Sequence, residues 1–185
     1  MDAPRLTPPA DLERDHWRGG GEDVPELLVF GDYECPYTRL AYRHVRRVEA
    51  ALGDRMRLVW RQLPLTDLHP HALAAAGFAE AAARQDRFWE LHDVLFAHQH
   101  ELDVDALRAH AAGVGLDPGR LASDLDDRDG LWRRIQDDVE SARASGAQGT
   151  PTLFVDGVLH VAGYDVEVLR TVLETPGPGS NGGSA

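Results

Sequence analysis

The sequence predicts an α/β domain in the order β-α-β, a helical block, then α-β-β-α, and three observations carry that prediction. A continuous apolar run at Glu26–Phe30, ELLVF, is followed within a few residues by a helical period that starts at Pro36. Helical period then dominates the middle of the chain, beginning with the alanine-rich ALAAAGFAEAAARQ. Two short apolar runs joined by Asp156-Gly157 return the pattern to strand near the end. With 185 residues, 43% of them hydrophobic, one domain with its own core is the expectation.

Each element follows from its residues. ELLVF is the kind of run that a strand buried on both faces shows. From Pro36, Leu40, Ala41, His44, Val45, Val48 and Leu52 share one helical face, while Arg39, Arg43, Arg46 and Arg47 fall largely elsewhere. Gly53 supplies the stop. RMRLVWRQL, Arg55–Leu63, reads as a second strand, and the helical crossover makes it parallel to the first. After PLTDLHPH come the alanine-rich helix, then DRFWELHDVLFAHQ, DVDALRAHAAG with Asp103 as N-cap, and DPGRLASDL with Pro118 in the first turn. A further helix over Leu131–Gly146 leads into AQGTP. TLFVDGVLHVAG is then a hairpin, because Asp-Gly accepts the positive φ angles of a tight turn. A last helix spans Asp165 to about Leu173. Residues 1–15, polar and proline-bearing, and 175–185, TPGPGSNGGSA, are expected to be disordered, which leaves a domain at 16–174.

The net charge of −12 argues against nucleic acid or an anionic membrane surface as partner. All 19 basic residues are arginine, a bias of the kind that GC-rich bacterial coding produces. The start has no apolar stretch of signal-peptide length, no run approaches a transmembrane span, and one cysteine forms no internal disulfide; the expectation is a cytoplasmic protein.

That cysteine is Cys35, in GDYECPYTRL, directly before Pro36 at the first strand-to-helix junction. A cysteine at a helix N-terminus meets unpaired backbone N–H groups and the helix dipole, which favour the reactive thiolate. The element order, FGDYECPYT at this junction and GTPTLFVDG at the later loop together resemble the DsbA-like branch of the thioredoxin superfamily. The resemblance runs over residues 15–174 and includes RDHWRGG, HPHALAAAGFAEAA and FWELHDVLF. It implies a thioredoxin-like fold with a helical insertion at about 66–130, Cys35 as nucleophile, and Pro151 as a cis-proline opposite it. Thr150 and Pro151 would bind a partner's backbone as an added strand. Pro36 pre-sets the first helical turn, and Tyr37 lies on an exposed turn beside the cysteine, where it can line a substrate groove.

Two positions depart from the family pattern. The second cysteine expected three residues on is Thr38, read either as a hydrogen-bond donor to the Cys35 thiolate or as ordinary first-turn polarity. The buried glutamate that such relatives often have six residues before the cysteine is Val29. Resolving cysteine and proton relay are lost together.

The remaining polar candidates are weaker. Asp32 and Glu34 would oppose a thiolate, and His69, His71, His92, His98, His100 and His110 have no recognised ligand spacing, so they read as solvated or capping; no metal is expected. Phe88, Trp89 and Phe96 read as core.

The sequence therefore points to a thiol:disulfide oxidoreductase working through one cysteine, with Cys35 and Thr38 in the catalytic position and Pro36, Tyr37, Thr150 and Pro151 binding substrate. No bound cofactor is expected; a low-molecular-weight thiol such as glutathione serves as co-substrate, and the partner is a disulfide-containing protein or small thiol. Two other readings use the same residues: a non-catalytic thioredoxin-fold module that binds a peptide or protein, and a thiol-dependent transferase or isomerase.

Overall fold

The computed structural model describes residues 3–175. The strands are β1 (His16–Gly19), β2 (Glu26–Gly31), β3 (Arg57–Gln62), β4 (Thr152–Val155) and β5 (Val158–His160). The helices are α1 (Pro36–Leu52), α2 (Ala72–Ala83), α3 (Phe88–Ala97), α4 (Val104–Gly113), α5 (Pro118–Asp126), α6 (Arg133–Ala144) and α7 (Val166–Glu174). The strands form one mixed sheet in the order β1-β3-β2-β4-β5. β2 and β3 are parallel, joined through α1, with Glu26 opposite Arg57 and Gly31 opposite Gln62; the other neighbours pair antiparallel.

All six residues of β2 and of β3 are buried, because helices cover both faces of the sheet. Alternation divides them. Leu27, Val29, Leu58, Trp60, Leu153 and Val155 face a core shared with α1, α7 and the helices between β3 and α6. Leu28, Phe30, Val59 and Phe154 face a smaller core with Leu6, Leu63 and Ala142 of α6. Gly31 closes β2 where Trp60 crosses it: a Cβ there would meet the indole at 2.0 Å. In the β4–β5 hairpin, Asp156 and Gly157 both have positive φ, 47° and 72°, as the Asp-Gly pair requires.

Three expectations need correction. Residues 3–15 are not disordered. Leu6 is buried, Arg5 bridges Val158, and the Leu6 N–H donates to the Gly157 carbonyl at 2.9 Å. The cause is a tertiary demand: the guanidinium of Arg61 is fully buried and donates to Asp15 (2.7 and 3.0 Å), Ser141 Oγ, and the carbonyls of Pro8 and Pro9. Residues 1–2, and residues 176–185 of the tail expected at 175–185, lie outside the described residues.

Second, the first strand is β1, not ELLVF. His16–Gly19 has no apolar run; it is an edge strand, specified by backbone pairing to β3. Third, His92 is neither solvated nor capping. It is fully buried against Tyr33, Tyr42, Trp60 and Phe96, and burial pushes its pKa well below the ordinary value, with the charges of Arg18, His16 and Arg46 acting the same way. The neutral ring lies 2.8 Å, through Nδ1, from the Tyr33 hydroxyl.

Boundaries shift by a residue or two elsewhere. Gly53–Arg55 is a 3-10 turn before β3, and a π turn at Arg128–Trp132 leads into α6.

Candidate functional site

The parallel strands end together, and the chain leaves β2 through Asp32–Cys35 before entering α1. Cys35 is the N-cap of α1, with extended backbone (φ −72°, ψ 120°) and Pro36 at the first helical position. The Cys35 N–H donates to the Asp32 carbonyl at 3.2 Å, and the Cys35 carbonyl accepts from Arg39 N–H at 3.1 Å. A Gly-Asp-Tyr-Glu turn into a helix with proline at its start thus puts the one thiol at the helix terminus.

Cys35 is only 3% exposed. Its Sγ donates to the Thr150 carbonyl at 3.3 Å, across 115 residues of sequence. The Thr150–Pro151 bond is cis, and both residues are half-buried. The structure thus brings Cys35, Thr150 and Pro151 together.

Tyr37 is 65% exposed and Pro36 is exposed beside it. Leu40, one turn further along α1, is exposed too, as is Leu68 in the β3–α2 loop. Thr38 faces the other way. It lies on the buried face of α1 with Ala41, Tyr42 and Val45, and its Oγ1 has no hydrogen-bond partner among the described residues. The bond from Thr38 to the Cys35 sulfur is not made: the thiol donates to the Thr150 carbonyl instead. Thr150 Oγ1 is likewise buried without a partner among the described residues. Val29, where relatives often have glutamate, is core.

The turn before the cysteine is tied down from two sides. Asp32, fully buried, accepts from Glu34 N–H through Oδ1 and from Leu65 N–H and His69 Nδ1 through Oδ2, each at 2.8 Å. Glu34 Oε2 accepts from His71 N–H at 2.7 Å. The two acids that the sequence sets against a thiolate are therefore engaged with the β3–α2 loop. From the other side, Gln99 Nε2 donates to the carbonyls of Tyr33 (2.8 Å) and Cys35 (2.9 Å). Gln99 carries no signal in the sequence: only the packing of the α3–α4 turn against residues 33–35 gives it a role.

Two clefts, of about 1200 Å³ beneath β5 and about 580 Å³ under the N-terminal segment, contain no residue of the Cys35 turn. Beside the buried thiol, Pro36, Tyr37 and Leu40 are exposed, a surface that suits an extended chain laid across the helix start.

A thiol at a helix N-terminus, hydrogen-bonded to a proline loop at the end of a mixed sheet, defines a thioredoxin-like fold. The chain belongs to the DSBA-like thioredoxin domain family, which matches residues 26–174. Among solved structures it is similar to a thioredoxin-like oxidoreductase from Silicibacter pomeroyi DSS-3, with 26% identity and a TM-score of 0.78 over 87% of this chain and 91% of that one. BdbD from Bacillus subtilis, 19% identical, shares the fold at a TM-score of 0.78 over 94% of this chain and 97% of that one. Curated relatives include proteins named Na(+)/H(+) antiporter NhaA 1 from Salinispora arenicola, 44% identical over 168 residues, and NhaA 3 from Salinispora tropica, 45% identical over 168 residues. In each the match covers 91% of this chain but 26% of the relative, so this chain spans about a quarter of their length. Their name describes those longer proteins.

Proposed function

We propose that this protein is a thiol:disulfide oxidoreductase that works through Cys35 alone. The Cys35 thiolate attacks one sulfur of a substrate disulfide; that S–S bond breaks, the other sulfur leaves as thiolate, and a Cys35 mixed disulfide forms. An external thiolate, of which glutathione is the model, then attacks the mixed disulfide. It takes the substrate's sulfur into a new disulfide and releases Cys35 as thiolate. The substrate is a disulfide within or attached to an extended polypeptide, whose backbone lies along Thr150–Pro151 and whose apolar side chains meet Tyr37 and Leu40.

The observation that carries this reading is the contact of the Cys35 sulfur with the Thr150 carbonyl at 3.3 Å, which holds the thiol beside the loop that would bind the partner. Thr38 in the second position leaves no internal route for resolution, and membership of a family of thiol-disulfide oxidoreductases supports the chemistry. A second reading, a peptide-binding module without turnover, draws on the burial of the thiol at 3% exposure.

Incubation with oxidised glutathione, followed by mass spectrometry, separates the two. An adduct on Cys35 that forms much faster than on an unstructured cysteine peptide is expected, together with loss of turnover in Cys35→Ser and an unchanged far-UV circular dichroism spectrum. A native protein that takes no adduct would favour the binding module.

A further inference from the structure

We propose that the turn between α3 and α4 is a binding site for a divalent transition metal of the Zn2+ class, held by His98, Glu101 and His110. One ligand atom from each of the three residues lies within 4.8 Å of the others. A tetrahedral zinc with bonds of about 2.0–2.1 Å sets its ligand atoms roughly 3.3 Å apart, so modest side-chain rotation closes the site. Part of that geometry exists already: His98 Nδ1 is 3.3 Å from Glu101 Oε2, and the rings of His98 and His110 stand 5.0 Å apart.

The ring of His110 is also set up for ligation. Its Nε2 is 3.0 Å from the Glu101 carbonyl oxygen, which only accepts, so Nε2 carries the proton and Nδ1 keeps its lone pair. A backbone carbonyl that fixes the tautomer in this way is a recurrent partner of metal-bound histidine. Two imidazoles and a carboxylate are the borderline donor set that zinc accepts, with three protein ligands and a fourth position open to water or to His100, whose Nε2 is 3.4 Å from Glu101 Oε1. The ligands come from the end of α3, the turn and α4, so no short sequence spacing announces them.

The site's position gives it a consequence. Gln99, between His98 and His100, is the residue that donates to the carbonyls of Tyr33 and Cys35. A metal bridging the turn to α4 would hold Gln99 in place and with it the N-terminal turn of α1. The site stands whether or not Cys35 performs disulfide exchange.

The test is calorimetric titration of the full chain with Zn2+ alone, in wild type, Cys35→Ser, and the His98→Ala/His110→Ala double variant. Uptake of one equivalent is expected in wild type and in Cys35→Ser, with affinity weakened about tenfold or more in the double variant. No uptake, uptake that vanishes in Cys35→Ser, or unchanged affinity in the double variant would overturn the site. Alkylation of Cys35 by iodoacetamide reads the coupling: Zn2+ is expected to slow it severalfold in wild type and not in the double variant. Equal rates with and without Zn2+ would sever the link to the catalytic turn.

Discussion

The sulfur of Cys35 touches one backbone carbonyl of the proline loop, and its own carbonyl is shared between Arg39 N–H and the side chain of Gln99. The thiol's position therefore depends on a residue 64 positions away. Gln99→Ala removes two hydrogen bonds to the turn and leaves the Tyr33 carbonyl without that donor. A loss of about 1–2 kcal/mol is expected from typical net hydrogen-bond values, read as a shift of the urea midpoint at unchanged slope. Disulfide exchange should slow together with it. A variant that loses stability and keeps the wild-type rate would show that Gln99 supports the fold without positioning the thiol.

The first turn of α1 is the element that turns this sequence into a candidate monothiol. Residues 35 and 38 lie one helical turn apart, and position 38 is fully buried beneath the helix start. In the variant Thr38→Cys, the introduced thiol is expected to form a disulfide with Cys35 on mild oxidation, with loss of two hydrogens in mass and of both free thiols. That bond would restore an internal resolving route, and exchange should then proceed without an added thiol. If both thiols remain free under oxidant, the turn does not bring the sulfurs within bonding distance. That outcome would weaken the assignment of residue 38 as the resolving position.

For the whole molecule, the deciding feature is the charged layer beneath the smaller core. Arg61, buried on every side, is held by Asp15, Ser141 and the carbonyls of Pro8 and Pro9, so the N-terminal segment, β3 and α6 are joined through one guanidinium. Asp15→Ala leaves that charge buried and unpaired and should cost about 3–5 kcal/mol, measured by urea unfolding. Asp138, in the same layer, accepts from Gln62 N–H and Arg14. Burial pushes its carboxyl up from 3.8 to about 6, against the pull of Arg134. The folded protein then keeps a proton that the unfolded chain releases near the ordinary value. This group's contribution to stability is present below the unfolded pKa and is lost as pH rises from about 4 to about 6. Urea midpoints of wild type and Asp138→Asn across that range check the sign: the wild type should lose ground to the variant as pH rises. A constant difference would mean that Arg14 and Arg134 keep the carboxylate ionised throughout.

The sequence by itself determined the elements whose local and tertiary demands agree: ELLVF as a strand covered on both faces, the amphipathic α1, the Asp-Gly hairpin, and Cys35-Pro36 at a helix start. In each, period and turn chemistry are written in adjacent residues. Only the tertiary structure decided the rest. His16–Gly19 is a strand because β3 offers it an edge, residues 3–15 are ordered because Arg61 needs their oxygens, and His92 is neutral because four aromatic rings exclude water from it. The candidate site divides the same way. The thiol and its helix terminus are local and legible. The Thr150 carbonyl, His69 on Asp32, and Gln99 are brought to it across 37 to 115 positions by packing, whose specificity lies in which surfaces meet and leaves no periodic trace in the chain.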